Sequence, residues 1–177
     1  MKKKSEHASP KYGGERQPTM SNTLTFWLAQ MPYYSALCLA EGMQYEGTLF
    51  TIDKNEELEN FAKKYFNKSE YKNQIKQLIG NAIEIIPTMN EKFDLVFIDA
   101  DKSNYINYFN LIIDKMTPGG VILSDNVLWS GKIIEEVDPK DIDTKVLLEY
   151  NKLLNSDNRI ETVLLPIRDG LTISRVK

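Results

Sequence analysis

Apolar runs along this chain stop abruptly at polar oxygens, and that pattern predicts most of its elements. Phe93-Asp94-Leu95-Val96-Phe97-Ile98 ends at Asp99-Ala100-Asp101-Lys102, and Val121-Ile122-Leu123-Ser124 ends at Asp125-Asn126. Runs of this length, apolar on both faces, suit parallel strands buried between layers of helix. Between them, Tyr105, Tyr108, Leu111 and Ile112 recur at amphipathic helical spacing within 104–115. Thr117-Pro118-Gly119-Gly120 is expected to end that helix. Such a strand–helix–strand crossover brings both strands out on one edge of the sheet, where open α/β sheets bind ligands. Asp99, Asp101, Asp125 and Asn126 are therefore expected in one cleft.

The same reading extends outward. The apolar run 24–29 fits a first-strand slot, and 35–43 carries Ala36, Leu37, Leu39 and Ala40 as a short packing helix. A strand over 47–52 ends at Asp53. Asn55 caps the helix that follows to Phe66, with Glu56 and Glu57 favouring its dipole. A strand over 75–79 closes at Gly80-Asn81, and a short helix over 82–86 ends near Pro87. The spacing predicts a helix over 144–154, then a hairpin of 160–165 and 171–176 turning at Arg168-Asp169-Gly170. Helix and strand alternate before a terminal antiparallel pair, which predicts an α/β fold with a mostly parallel sheet. Residues 1–21 lack periodicity and read as a disordered leader to one domain over 22–177.

Composition narrows the chemistry. A net charge of -3, with scattered basic residues, argues against a nucleic-acid partner. No apolar run approaches the roughly 20 residues that span a bilayer. Lys2-Lys3-Lys4 leads into Ser5-Glu6-His7 rather than an apolar segment, so no signal peptide is expected and a cytoplasmic location is the default. Cys38 is the sole cysteine, which excludes an intrachain disulfide and a CxxC metal site. The sole histidine, His7, lies in the leader, which removes Ser-His-Asp, HExxH and histidine-rich zinc chemistry. Oxygen-ligand chemistry, lysine or carboxylate catalysis, or simple binding remain.

Three strand ends carry groups suited to a small ligand. Asp53 sits where doubly wound folds place a carboxylate that accepts ribose hydroxyls, although a helix cap explains it equally well. Gly80-Asn81-Ala82 suits the flank of an adenine or a plain turn. Asp99, Asp125 and Asn126 form a hard-oxygen set that prefers Mg²⁺ or Ca²⁺. Two close carboxylates without a cation would repel each other. Separate helix caps are the alternative, and the shared crossover favours the metal.

Segments 34–43, 47–53, 93–105, 119–131 and 166–172 resemble the class I, cation-dependent O-methyltransferases, the family of catechol and caffeoyl-coenzyme A O-methyltransferases. The resemblance implies a Rossmann-like S-adenosylmethionine-dependent methyltransferase fold, its mostly parallel sheet closed by a C-terminal antiparallel hairpin. It implies Asp99, Asp125 and Asn126 as ligands of a divalent cation, Mg²⁺ first and Ca²⁺ or Mn²⁺ after it. Lys102 would be the general base and Asp53 the ribose clamp. Tyr34 and Ser35 would contact the amino-acid end of S-adenosylmethionine, Ala82 its adenine side, and Asp99 would border the cofactor too. The acceptor would be a hydroxylated, catechol-like small molecule, and the assembly a homodimer.

One stretch departs from the family. Its first strand ends in an acid and a glycine-rich turn, whereas 24–34 here reads Leu-Thr-Phe-Trp-Leu-Ala-Gln-Met-Pro-Tyr-Tyr, with neither. Pro32 would remove a backbone donor and fix φ inside that turn. The domain thus reads as N-terminally incomplete, and a disturbed reading frame across 25–32 is one account of it. The alternative function is that of a catalytically silent member of the fold that acts by binding.

Overall fold

The computed structural model describes residues 24–29 and 32–177, with side chains from Tyr34 onward. The predicted leader over 1–21 lies outside the described residues. The apolar runs become strands β1 (Leu24–Ala29), β2 (Thr48–Asp53), β3 (Ile75–Ile79), β4 (Phe93–Asp99), β5 (Met116–Asp125), β6 (Ile160–Leu165) and β7 (Leu171–Val176). The helices are α1 (Pro32–Gly42), α2 (Glu59–Phe66), α3 (Ala82–Thr88), α4 (Tyr105–Ile112) and α5 (Ile142–Ser156). The strands form one seven-stranded sheet in the order β3-β2-β1-β4-β5-β7-β6. β1 to β5 run parallel, and the hairpin β6–β7 adds antiparallel to β5. The run 24–29 therefore fills the central first-strand slot, as expected.

That order places the site. From β1 the chain winds outward through β2 and β3, then returns to build β4 and β5 on the other side, so the strand order reverses between β1 and β4. Ligands bind at such a switch point, beyond the carboxyl ends of the strands. Ala29 lies opposite Asp99, and Asp53 opposite Ile79. Ile98 pairs with Ser124, so Asp99 and Asp125 leave neighbouring strands side by side.

Alternate residues of a strand face opposite layers, and β2 shows why both of its faces are apolar. Leu49 packs with Ala36 of α1 and with Ala62 and Phe66 of α2. Phe50 and Ile52 join the larger core under α3, α4 and α5, where Phe93, Val96, Ile98, Phe109, Ile112, Leu147 and Tyr150 are buried. Phe50 and Phe93 meet edge to face at 6.3 Å between ring centroids.

Several element ends differ from expectation. Thr117-Pro118-Gly119-Gly120 belongs to β5 and does not close the helix, which ends earlier in a tight turn over Ile113–Lys115. Backbone crowding explains it: a Cβ on Gly120 would stand 2.8 Å from the Thr117 carbonyl oxygen and 3.2 Å from that of Asp94. The register also shifts between Phe93 and Leu95, and Thr117 Oγ1 donates to Asp94 Oδ1 at 2.7 Å. Glycine here permits close approach of two strands. Pro87 lies within α3, one residue before its end, where it withholds a donor that the last turn would use and so helps to stop the helix at Thr88. α5 starts at Ile142, two residues before the predicted 144, since Asp141 caps it by accepting from Thr144 N at 3.0 Å. Pro32 is the first residue of α1 and not part of a turn, the position that proline suits best.

Candidate functional site at the carboxyl edge of the sheet

A cleft of about 540 Å³ opens over the ends of β2, β3 and β4, lined among others by Asp53, Asn81, Ala82, Asp101 and Tyr108. Two of its walls were legible as sequence. Asp53 is only 7% exposed, and its Oδ1 accepts from Asn55 N at 2.9 Å. Its Oδ2 is buried with no hydrogen-bond partner among the described residues. A buried carboxylate oxygen left unpaired is costly, so this atom suits a donor brought by a ligand. The cap reading is also met, by Asn55: its side chain accepts from Glu57 N at 3.0 Å. Asn81 accepts from Ile83 N at 3.1 Å and starts α3, which buries Ala82 against the cleft floor.

Asp101, placed by the sequence pattern at this edge but given no role there, forms the opposite wall. Tyr108 Oη donates to its Oδ1 at 2.7 Å, and the Asn104 side-chain amide donates to Oδ2. Burial alone would lift its pKa, but these hydrogen bonds more than offset it and hold the carboxyl below its ordinary range. Tyr108 had read as part of a core stripe. Its ring is core, while its hydroxyl belongs to the site.

Beside the cleft, Asp99, Lys102, Asp125 and Asn126 come together. Lys102 is 6% exposed and directs Nζ at Asn126 Oδ1 (3.1 Å), Asp99 Oδ1 (3.6 Å) and the Tyr105 hydroxyl. The ammonium thus stands among oxygens expected to hold a cation. Burial pushes the Lys102 pKa down, against the pull of Asp99 and Asp125. Burial likewise pushes Asp99 up, with Asp125 adding to the rise and Lys102 opposing it. Both members of the pair are drawn toward their neutral forms. Among the described residues no cluster of three or more His, Cys, Asp or Glu could hold a metal. The expected set here, two carboxylates and an amide oxygen, is smaller than such a cluster.

The loop after β5 is fixed from outside. Asn126, Trp129 and Ser130 take positive φ (60°, 50° and 54°), and the hairpin turn holds them there. Val127 N donates to the Gly170 carbonyl (3.2 Å), Leu128 N to that of Asp169 (2.9 Å), and Ser130 N to the Asp169 carboxylate. Gly170 has φ +82°, and a Cβ on it would stand 2.5 Å from Leu128 Cγ. Gly170→Ala is therefore expected to destabilise the fold by about 2 kcal/mol through strain and overlap, read as a lowered midpoint in thermal unfolding.

Tyr34 and Ser35 sit in the first turn of α1, just past the end of β1. Tyr34 is 71% exposed, Ser35 half-buried, and neither is among the lining residues of the cleft. Among the described residues, no helix is long and apolar enough to cross a membrane.

Comparison with known proteins agrees with this arrangement. Residues 25–177 match the O-methyltransferase family. Caffeoyl-CoA O-methyltransferase 1 of Arabidopsis thaliana is 35% identical over 156 residues, covering 80% of this chain and 59% of that protein. Its namesake from Nicotiana tabacum is 33% identical, with 80% and 64% covered. The chain thus spans less than two thirds of the length of these relatives. Among solved structures, the SAH-bound methyltransferase of Podospora anserina superposes with a TM-score of 0.77 at 27% identity, covering 88% of this chain and 72% of that one. The O-methyltransferase TomG of Streptomyces achromogenes, solved with SAM, shares the fold at a TM-score of 0.81 and 23% identity, with 87% and 73% covered. The sheet order, the strand-end oxygens and these matches make the chain a member of the O-methyltransferase family, with the Rossmann-like fold of S-adenosylmethionine-dependent methyltransferases.

Proposed function

We propose that this chain transfers a methyl group from S-adenosylmethionine to a hydroxyl of a catechol-like small molecule, assisted by a divalent cation. The observation that carries this reading is the meeting of Asp99 and Asn126 on the Lys102 ammonium, directly beside a cleft walled by Asp53 and Asp101. Asp53 would offer to the ribose hydroxyls its Oδ2, which has no partner among the described residues, Ala82 would give an apolar edge to the adenine, and Tyr34 and Ser35, in the first turn of α1, would contact the methionine end. Asp99 would border the cofactor as well as the cation. Asp99, Asp125 and Asn126 would hold the cation, with Mg²⁺ suited best to such oxygens and Ca²⁺ or Mn²⁺ next. When bound, it lowers the pKa of an acceptor hydroxyl. Lys102, its own pKa already lowered by burial, takes the hydroxyl proton at Nζ. The resulting phenolate attacks the sulfonium methyl, forming the O–C bond as the C–S bond breaks, and alignment supplies much of the rate. We further propose one domain over 22–177, a cytoplasmic location, a homodimer and no nucleic-acid partner.

A second reading, a silent member of the fold that acts by binding, is favoured by one observation: 24–34 holds neither glycine nor acid. Titration with labelled S-adenosylmethionine separates the two. Saturable binding with Mg²⁺-dependent methylation of catechol supports the enzyme, and a folded chain that does not bind the cofactor rules it out. Asp53→Ala is expected to raise the cofactor Kd by about tenfold to a hundredfold, the worth of charge-assisted hydrogen bonds. An unchanged Kd in that variant would remove Asp53 from the ribose site.

A further inference from the structure

Tyr105 opens α4 three residues after Lys102 and is fully buried. Its ring meets Tyr150 edge to face at 5.3 Å between centroids, and this packing sets where the hydroxyl points. The hydroxyl lies 2.8 Å from the Asp125 carbonyl oxygen and 3.4 Å from that of Ile98. A phenol has one proton, and here it goes to a carbonyl, which can only accept. Toward Lys102 the hydroxyl can therefore act only as an acceptor, and the amine must present an N–H to it. Asn126 Oδ1 is likewise an acceptor and takes a second N–H at 3.1 Å. The third direction of the nitrogen falls between two longer contacts, the Asp125 carbonyl oxygen at 3.5 Å and Asp99 Oδ1 at 3.6 Å. Two anchors thus determine how the amine is rotated.

We propose that Tyr105 is a positioning residue, whose hydroxyl clamps the end of β5 and turns the free direction of the Lys102 nitrogen toward the reacting face beside Asp99. The inference rests on the methyltransferase reading above for its catalytic consequence, though not for its geometry. A core tyrosine that merely satisfies its hydroxyl is present in the same molecule for comparison. Tyr150 is also fully buried and meets the Ser124 hydroxyl at 2.6 Å. Either variant removes one hydroxyl from a fully buried ring, and of the two only Tyr105 contacts the lysine.

The test compares the parent with Tyr105→Phe and Tyr150→Phe in two measurements. The first needs no cofactor: acetylation of Lys102 by acetic anhydride, followed by peptide mass spectrometry, with the exposed Lys132 as internal reference. Loss of one hydrogen bond to the amine is expected to speed labelling of Lys102 about tenfold in Tyr105→Phe and to leave it at the parent rate in Tyr150→Phe. Equal labelling in Tyr105→Phe and parent, or an equal rise in both variants, overturns the proposal. The second is methylation of catechol with Mg²⁺, where kcat is expected to fall about tenfold in Tyr105→Phe with both KM values unchanged. Faster labelling with an unchanged kcat in an active chain also overturns it. A parent chain that fails to bind S-adenosylmethionine defeats the functional reading alone, and labelling then decides whether Tyr105 holds the amine.

Discussion

Asp125→Ala is expected to lower Mg²⁺-dependent methyl transfer by about a hundredfold or more while leaving the fold intact, on the scale lost when a preorganised charge is removed from a reacting site. The carboxylate of Asp125 is not part of the core. Among the described residues its Oδ1 accepts from the Asn126 backbone N–H, at 2.8 Å, and the residue is half-buried. Its backbone is secured separately, since Tyr105 binds the carbonyl oxygen and β7 pairs alongside at Leu171. Truncation therefore deletes a charged ligand without unpinning the strand. It also takes one negative charge from beside Lys102, which lets the amine shed its proton more readily, so the expected loss comes from the cation site alone. Initial rates against Mg²⁺ concentration and Mn²⁺ affinity by electron paramagnetic resonance would both report the loss. Asp125→Asn keeps the shape and should fall between variant and parent. Equal metal affinity in Asp125→Ala and parent would remove this residue from the site.

The strand ends were legible because two constraints coincide in them. A strand covered on both faces must be apolar throughout, so the first charged residue after it marks where the chain leaves the sheet. Phe93–Asp99 and the run into Asp125-Asn126 show this, and the crossover between them needs no further information to place both ends on one edge. The choice between cap and ligand at Asp53 could not be made from sequence, because the two roles fall to different atoms. Oδ1 serves the local turn, and Oδ2 is buried with no partner among the described residues. Tyr105 and Tyr108 were read by their rings alone, since helical spacing reports which face is buried and says nothing of where a hydroxyl ends. The glycines at 119 and 120 misled for a related reason: the sequence signal for a helix stop is the same as that for close contact between strands. Pro32 was read as an obstacle in a turn, and only the position of the helix start shows that it is the first residue of α1.

Replacing 30–33 by a longer glycine-rich turn, with an acid at the end of β1, is expected to tighten S-adenosylmethionine binding about tenfold, or about 1.4 kcal/mol. The boundaries of that exchange follow from the sheet. Trp27 pairs with Thr51 on one side and Phe97 on the other, and Leu28 with Ile52 and Ile98, so 24–28 must be left as the central strand. Ala29 lies opposite Asp99, which puts the end of β1 level with the proposed cation site and makes it the place where an acid would meet the cofactor. A glycine-rich turn there lets the backbone approach a ligand closely and offer its N–H groups, which Gln30-Met31-Pro32-Tyr33 is poorly suited to do. One or two restored hydrogen bonds are enough to account for the gain. Affinity is the right readout, because turnover also depends on how the acceptor is held. Cation affinity should not change, since Asp99, Asp125 and Asn126 are untouched. If the repaired chain folds, binds Mg²⁺ as the parent does and yet takes up the cofactor no more tightly, the weakness lies elsewhere than in this turn.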